Sequence, residues 1–139
     1  MYKCKHFAIH ELVPPKVYRD RGEKAWELMD ERILQTIDKL RDRFGAAIIN
    51  NYEFGGDRKW SGLRTSDSPW FSPYSQHTFG RAVDVIFRDV TAEEVREELR
   101  NIYDQVLNNV LPGITAVEED VDWLHIDCRN CERIKWFNA

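Results

Sequence analysis

Ala82-Val83-Asp84-Val85-Ile86-Phe87 reads as a β-strand with Val83, Val85 and Phe87 on one face and Ala82, Asp84 and Ile86 on the other. A carboxylate is thereby set on a strand among apolar neighbours. Downstream, Thr91-Ala92-Glu93-Glu94 forms a capping box, and Val95, Leu99, Ile102, Val106 and Val110 continue a helical stripe until Pro112-Gly113 ends it. Upstream, Trp26, Met29, Ile33, Ile37, Leu40 and Phe44 recur three or four residues apart, which predicts a helix over 23–44 with Asp20 and Glu23 as its capping box and Gly45 as its stop. Phe7 to Val13 is read as an extended lead-in that ends at Pro14-Pro15. Short β-rich runs at 46–52, 114–117, 123–128 and 134–137 complete the pattern. The last of these lie too close together for crossover helices, so the expected fold class is α+β, a mainly antiparallel sheet with two principal helices.

The chain has 139 residues, of which 42% are hydrophobic, enough for one core and a single domain spanning 1–139. Its 20 basic and 24 acidic residues give a net charge of -4, so no basic field is available to hold a phosphate backbone, and nucleic acid is not an expected partner. No run reaches the roughly 18 apolar residues of a membrane span, and the opening MYKCKHFAIHEL lacks the apolar core of a secretion signal. A soluble monomer, cytoplasmic at synthesis, is the expectation. Three cysteines make no regular disulfide framework; Cys128 and Cys131 supply half the pattern of a structural zinc site that Cys4 and His6 would have to complete, and packed free thiols are the simpler reading.

Residues 53–80 form a long stretch rich in glycine, proline, serine and aromatic side chains with little periodicity, the character of a binding loop. At its end stands His77, followed by Gly80 and then Asp84 on the strand, while His125 lies within Asp122-Trp123-Leu124-His125-Ile126-Asp127. Two imidazoles and one carboxylate match the ligand count of a catalytic zinc ion that keeps a position open for water, and such an ion points to hydrolysis of a peptide bond. A base is then required. Asp122 is the first candidate, on a turn entering the strand, and Asp127 the rival, two residues from His125 and on its face. Arg64 is the candidate donor to the developing oxyanion, with Arg58 and Arg81 as less favoured substitutes. Trp60, Tyr74 and Ser75 are the candidate substrate contacts; the surrounding aromatics either cover the core or wall a groove.

The run S-Q-H-T-F-G-R-A-V-D from Ser75 to Asp84 resembles the S-x-H-x-x-G-x-A-x-D signature of the zinc D-alanyl-D-alanine carboxypeptidases and peptidoglycan L,D-endopeptidases, which share fold and metal site with the Hedgehog signalling domain. S-G-L-R at Ser61 to Arg64 and D-W-L-H at Asp122 to His125 are similar to two further segments of that family, in the same order. The resemblance spans about residues 46–127. It implies a Hedgehog/DD-peptidase-like fold, zinc held by His77, Asp84 and His125, Asp122 as base and Arg64 at the substrate carbonyl. The implied substrate is a peptidoglycan stem peptide. Small single-domain members are often phage lysins, which act at the cell wall after release. A zinc-binding module of a phage or wall-associated protein that has lost catalysis is the alternative. The helix after Thr91 and the Cys128–Cys131 tail match no motif of the family.

Overall fold

The computed structural model describes residues 1–102, 110–131 and 133–138. It is an α+β fold with helices α1 (Pro15–Arg21), α2 (Glu31–Phe44) and α3 (Ala92–Asn101), and strands β1 (Ala47–Ile48), β2 (Ala82–Phe87), β3 (Ala116–Glu118), β4 (Leu124–Asp127) and β5 (Lys135–Phe137). The strands form one sheet in the order β1-β2-β4-β3-β5. The sheet is mixed. β1–β2, β2–β4 and β4–β3 pair antiparallel, whereas β5 runs parallel to β3. Among the described residues no helix is long and apolar enough to cross a membrane.

The two faces of the sheet differ in chemistry because side chains alternate along each strand. Val83, Val85 and Phe87 of β2, Leu124 and Ile126 of β4 and Val117 of β3 enter the core with Ile33, Leu34, Ile37 and Leu40 of α2 and Val95 and Leu99 of α3. The opposite face carries Asp84, His125 and Asp127, and the register sets Asp84 directly across from His125. Carried one step further, the β3–β4 register puts Glu118 beside His125 on its other side.

Several expectations are corrected. The helix read over 23–44 is broken: Gly22–Leu28 is a 3-10 helix, Met29 is extended, and α2 begins only after Asp30. Asp30, rather than Asp20, is the cap, its carboxylate accepting from Arg32 N (2.9 Å) while its own amide donates to Gly80 O (2.9 Å). Trp26 and Met29 mimic an extension of the stripe that Ile33 begins, because their spacing of three suits a 3-10 turn as well as an α-helix. Pro15, expected to stop structure, opens α1 at the first helical position, where its missing N–H costs nothing. The lead-in before it holds a short 3-10 turn at Ile9–Glu11. The run 46–52 contributes only Ala47 and Ile48 to the sheet, because Asn50 N bonds Glu11 O (2.9 Å) and Ile49 O accepts from Arg58 Nε (2.9 Å). Of the second expected helix, Val106 lies outside the described residues and Val110 sits in a bend after α3 has ended.

Candidate metal centre

Ser75 starts the local geometry: its Oγ accepts from His77 N (3.3 Å) and caps a 3-10 turn over Gln76–Phe79. Gly80 ends that turn at φ 68°, and a β-carbon there would stand 2.0 Å from Leu28 O, so only glycine lets the chain enter β2 at this point. His77 is 3% exposed. Its Nδ1 lies 2.8 Å from Gly62 O, which fixes the ring and leaves Nε2 directed at Asp84 Oδ1, 3.3 Å away. On the adjoining strand His125 Nδ1 lies 2.8 Å from the same Oδ1, and its Nε2 lies 2.8 Å from Asp127 Oδ2.

One ligand atom from each of His77, Asp84 and His125 lies within 4.8 Å of the others, and all three residues are buried. This group could hold a metal ion. Ligand atoms bound at about 2.0–2.1 Å in a tetrahedron stand roughly 3.4 Å apart. The 3.3 and 2.8 Å separations from Asp84 Oδ1 are close to that spacing. The outer contacts fit as well. Gly62 O at the far nitrogen of His77 and Asp127 at the far nitrogen of His125 are the oxygen partners that orient a metal-bound imidazole. Asp127 has no exposed surface and is gripped by Arg129 Nε (2.7 Å) and Nη2 (2.6 Å), so it is placed to orient a ring rather than to meet a substrate.

The charges are strongly coupled. Burial alone would raise the Asp84 carboxyl, but hydrogen bonds from His125 and His77 overcome it and hold the group well below the usual carboxylate range. Burial pulls His125 down, and Asp127 and Asp84 outweigh it, pushing the ring up to about 9. The same two carboxylates that favour a proton on His125 favour any cation that takes the proton's place.

Comparison with known protein families, curated proteins and solved structures finds no match.

Above the cluster lies a groove of about 770 Å3 lined by His77, Asp84 and His125 and, among other residues, by Arg64 and the candidate substrate contacts Trp60, Tyr74 and Ser75. Arg64 reaches it with Nε spent on Trp60 O (2.7 Å) and Nη2 on Asp84 Oδ2 (3.1 Å). Burial lowers its pKa while Asp84 and Glu118 oppose the fall. Arg58 also lines the groove, but it braces backbone, donating to Ile49 O and Asp84 O. Arg81 is turned away, 3.9 Å from Asp30.

The structure does not bring Asp122 to the cluster. It is exposed and borders a second groove with Arg88, Glu93 and Val121. The cause is the approach to β4: Asp120 takes the left-handed conformation (φ 60°), and Arg96 of α3 holds Val121 O (2.9 Å) and Trp123 O (3.1 Å), fixing the backbone on both sides of Asp122. The carboxylate that does face the cluster is Glu118, which lines the groove with Oε2 4.0 Å from His125 Nδ1. Its side chain belongs to no motif in the sequence, and only the register between β3 and β4 reveals it. Cys128 is buried and Cys4 and Cys131 are half-buried free thiols, and among the described residues they join no metal-ligating group.

Proposed function

We propose that this protein is a zinc peptidase that hydrolyses peptide bonds in peptidoglycan stem peptides. The observation that carries the reading is the convergence of two imidazoles and a carboxylate, His77, Asp84 and His125, at the groove. The sequence resemblance at Ser75–Asp84 and Ser61–Arg64 supports the substrate class. His77 through Nε2, Asp84 through its carboxylate and His125 through Nδ1 would hold the ion. Zinc bound there supplies a Lewis acid that polarises a carbonyl and lowers the pKa of water to about 7.

The remaining chemistry belongs to the chain. Glu118 takes the proton of the attacking water and delivers it to the departing amine, a general acid–base role worth about 10²–10⁴ in rate. Arg64 keeps Nη1 free of the bonds that fix Nε and Nη2 and donates it to the carbonyl oxygen as that atom gains charge. Arg129 and Asp127 hold the His125 ring, and Gly62 O holds the His77 ring.

The test is incubation with defined muropeptides, with and without a chelator, and weighing of the products by mass spectrometry. Cleavage that stops with the chelator and returns with zinc is the expected result. Glu118→Gln is expected to retain zinc and lose turnover by at least about 10². Asp122→Asn should keep both. Zinc binding without release of fragments from any muropeptide would overturn the reading and leave a metal-binding module.

A further inference from the structure

Beside the metal centre the chain repeats a short motif: Ser68-Pro69-Trp70-Phe71 and Ser72-Pro73-Tyr74-Ser75. Each is a closed β-turn, with Phe71 N donating to Ser68 O (3.2 Å) and Ser75 N to Ser72 O (3.2 Å). Proline at the second position of each turn presets its backbone, and the aromatic residue occupies the third, at the corner. Two further bonds stiffen the pair, Trp70 N to Ser68 Oγ (3.0 Å) and Thr78 Oγ1 to Ser72 O (2.6 Å). The outcome runs against ordinary burial. Trp70 is 67% and Tyr74 87% exposed, yet both line the groove.

Large rings held out in water on hydrogen-bonded turns are poorly explained as core, and a ligand meeting them would have little backbone left to order. An aliphatic side chain would call for a closed apolar pocket. A flat ring with a wet perimeter instead suits a pyranose, whose axial C–H faces are apolar and whose hydroxyls stay solvated. Asp57, Lys59 and Ser75 along the same groove offer partners for hydroxyl and acetamido groups. The net charge of -4 disfavours a nucleic-acid strand as the stacked ligand.

We infer that Trp70 and Tyr74 form a saccharide-binding platform at the lip of the groove. Resting on the peptidase reading, this makes the preferred substrate a stem peptide still attached to its amino sugars rather than a free peptide.

Two measurements test it. The first, independent of catalysis, titrates the metal-free and the zinc-loaded protein with tri-N-acetylchitotriose and follows tryptophan fluorescence. Binding is expected, weakened about fivefold by Trp70→Ala and by Tyr74→Ala, the scale of one aromatic contact. Phe54→Ala, which removes a 70% exposed ring outside the groove, should change nothing. The second compares KM and kcat for a stem pentapeptide with and without its disaccharide. The sugar is expected to lower KM about tenfold with little change in kcat, and Trp70→Ala to erase the difference. Chitotriose binding that depends on Trp70 while neither peptide is cut would sink the peptidase reading and sustain the platform. Equal KM for the two peptides with no chitotriose binding would overturn the platform alone. So would an equal loss for both peptides in Trp70→Ala, because the ring would then be contacting peptide.

Discussion

Replacing Gly62 by alanine tests the contact on which His77 rests. A β-carbon at this position would stand 2.2 Å from Leu12 O and 2.8 Å from Leu12 C. Both are backbone atoms, so no side chain can swing aside. Relief requires the two segments to part by about 1 Å, which overpacks a buried site at about 1–3 kcal/mol and weakens the Leu63 N to Leu12 O bond, about 1 kcal/mol more. The sum, about 2–4 kcal/mol, lowers the melting temperature of a domain this size by roughly 6–15 °C. The shift also displaces Gly62 O from His77 Nδ1, and loss of such an outer partner costs a metal site about 10- to 100-fold in affinity. Thermal unfolding of the metal-free protein reads the first effect, and zinc competition against a chromophoric chelator reads the second. Gly55→Ala is the control. Its added β-carbon meets nothing within 4 Å, but its φ of 88° imposes the left-handed penalty, about 1 kcal/mol. A Gly62→Ala protein that melts no lower than Gly55→Ala and binds zinc like the parent would refute the argument.

Asp30→Ala removes the cap of α2 and is expected to cost about 1 kcal/mol at neutral pH. Hydrogen bonds from Arg32 hold the Asp30 carboxyl below its ordinary value of 3.8, so its contribution is present above that value and fades as pH falls toward the depressed folded value. Parent and variant should therefore converge in acid melts, and a gap unchanged from neutral to strongly acidic pH would contradict the assignment. Arg96→Met keeps the bulk of a buried side chain but releases Val121 O and Trp123 O; about 2–3 kcal/mol of stability is expected to go, with a rise in KM as the Trp123 wall of the groove loosens. Unchanged proteolysis at 119–123 in this variant would show that the clamp is dispensable.

Much of the site was legible because its residues obey local rules. The alternation in 82–87 showed which side of β2 carries Asp84, whereas Ser75, read as a substrate contact, proves to cap the turn that carries His77. Glu118 was invisible, and Asp122 misplaced, for a different reason. Glu118 and Asp122 are both acidic residues near turns, and which of them meets His125 is decided by strand register and by the grip of Arg96, interactions spanning 7 and 25 or more residues of sequence. The break at Met29 escaped because a three-residue spacing belongs to both helix types, so hydrophobic periodicity could not see where one gave way to the other. The parallel placement of β5 likewise follows from tertiary pairing, to which a three-residue strand contributes almost no sequence signal.

Because β2 and β4 turn alternate residues to opposite layers, neighbouring codons in these strands should fail in opposite ways. On the peptidase reading, a saturation library would lose protein yield at Val83, Val85, Leu124 and Ile126, and turnover at Asp84 and His125. Sorting the variants once for solubility and once for turnover would trace that two-residue beat directly, without a diffraction pattern.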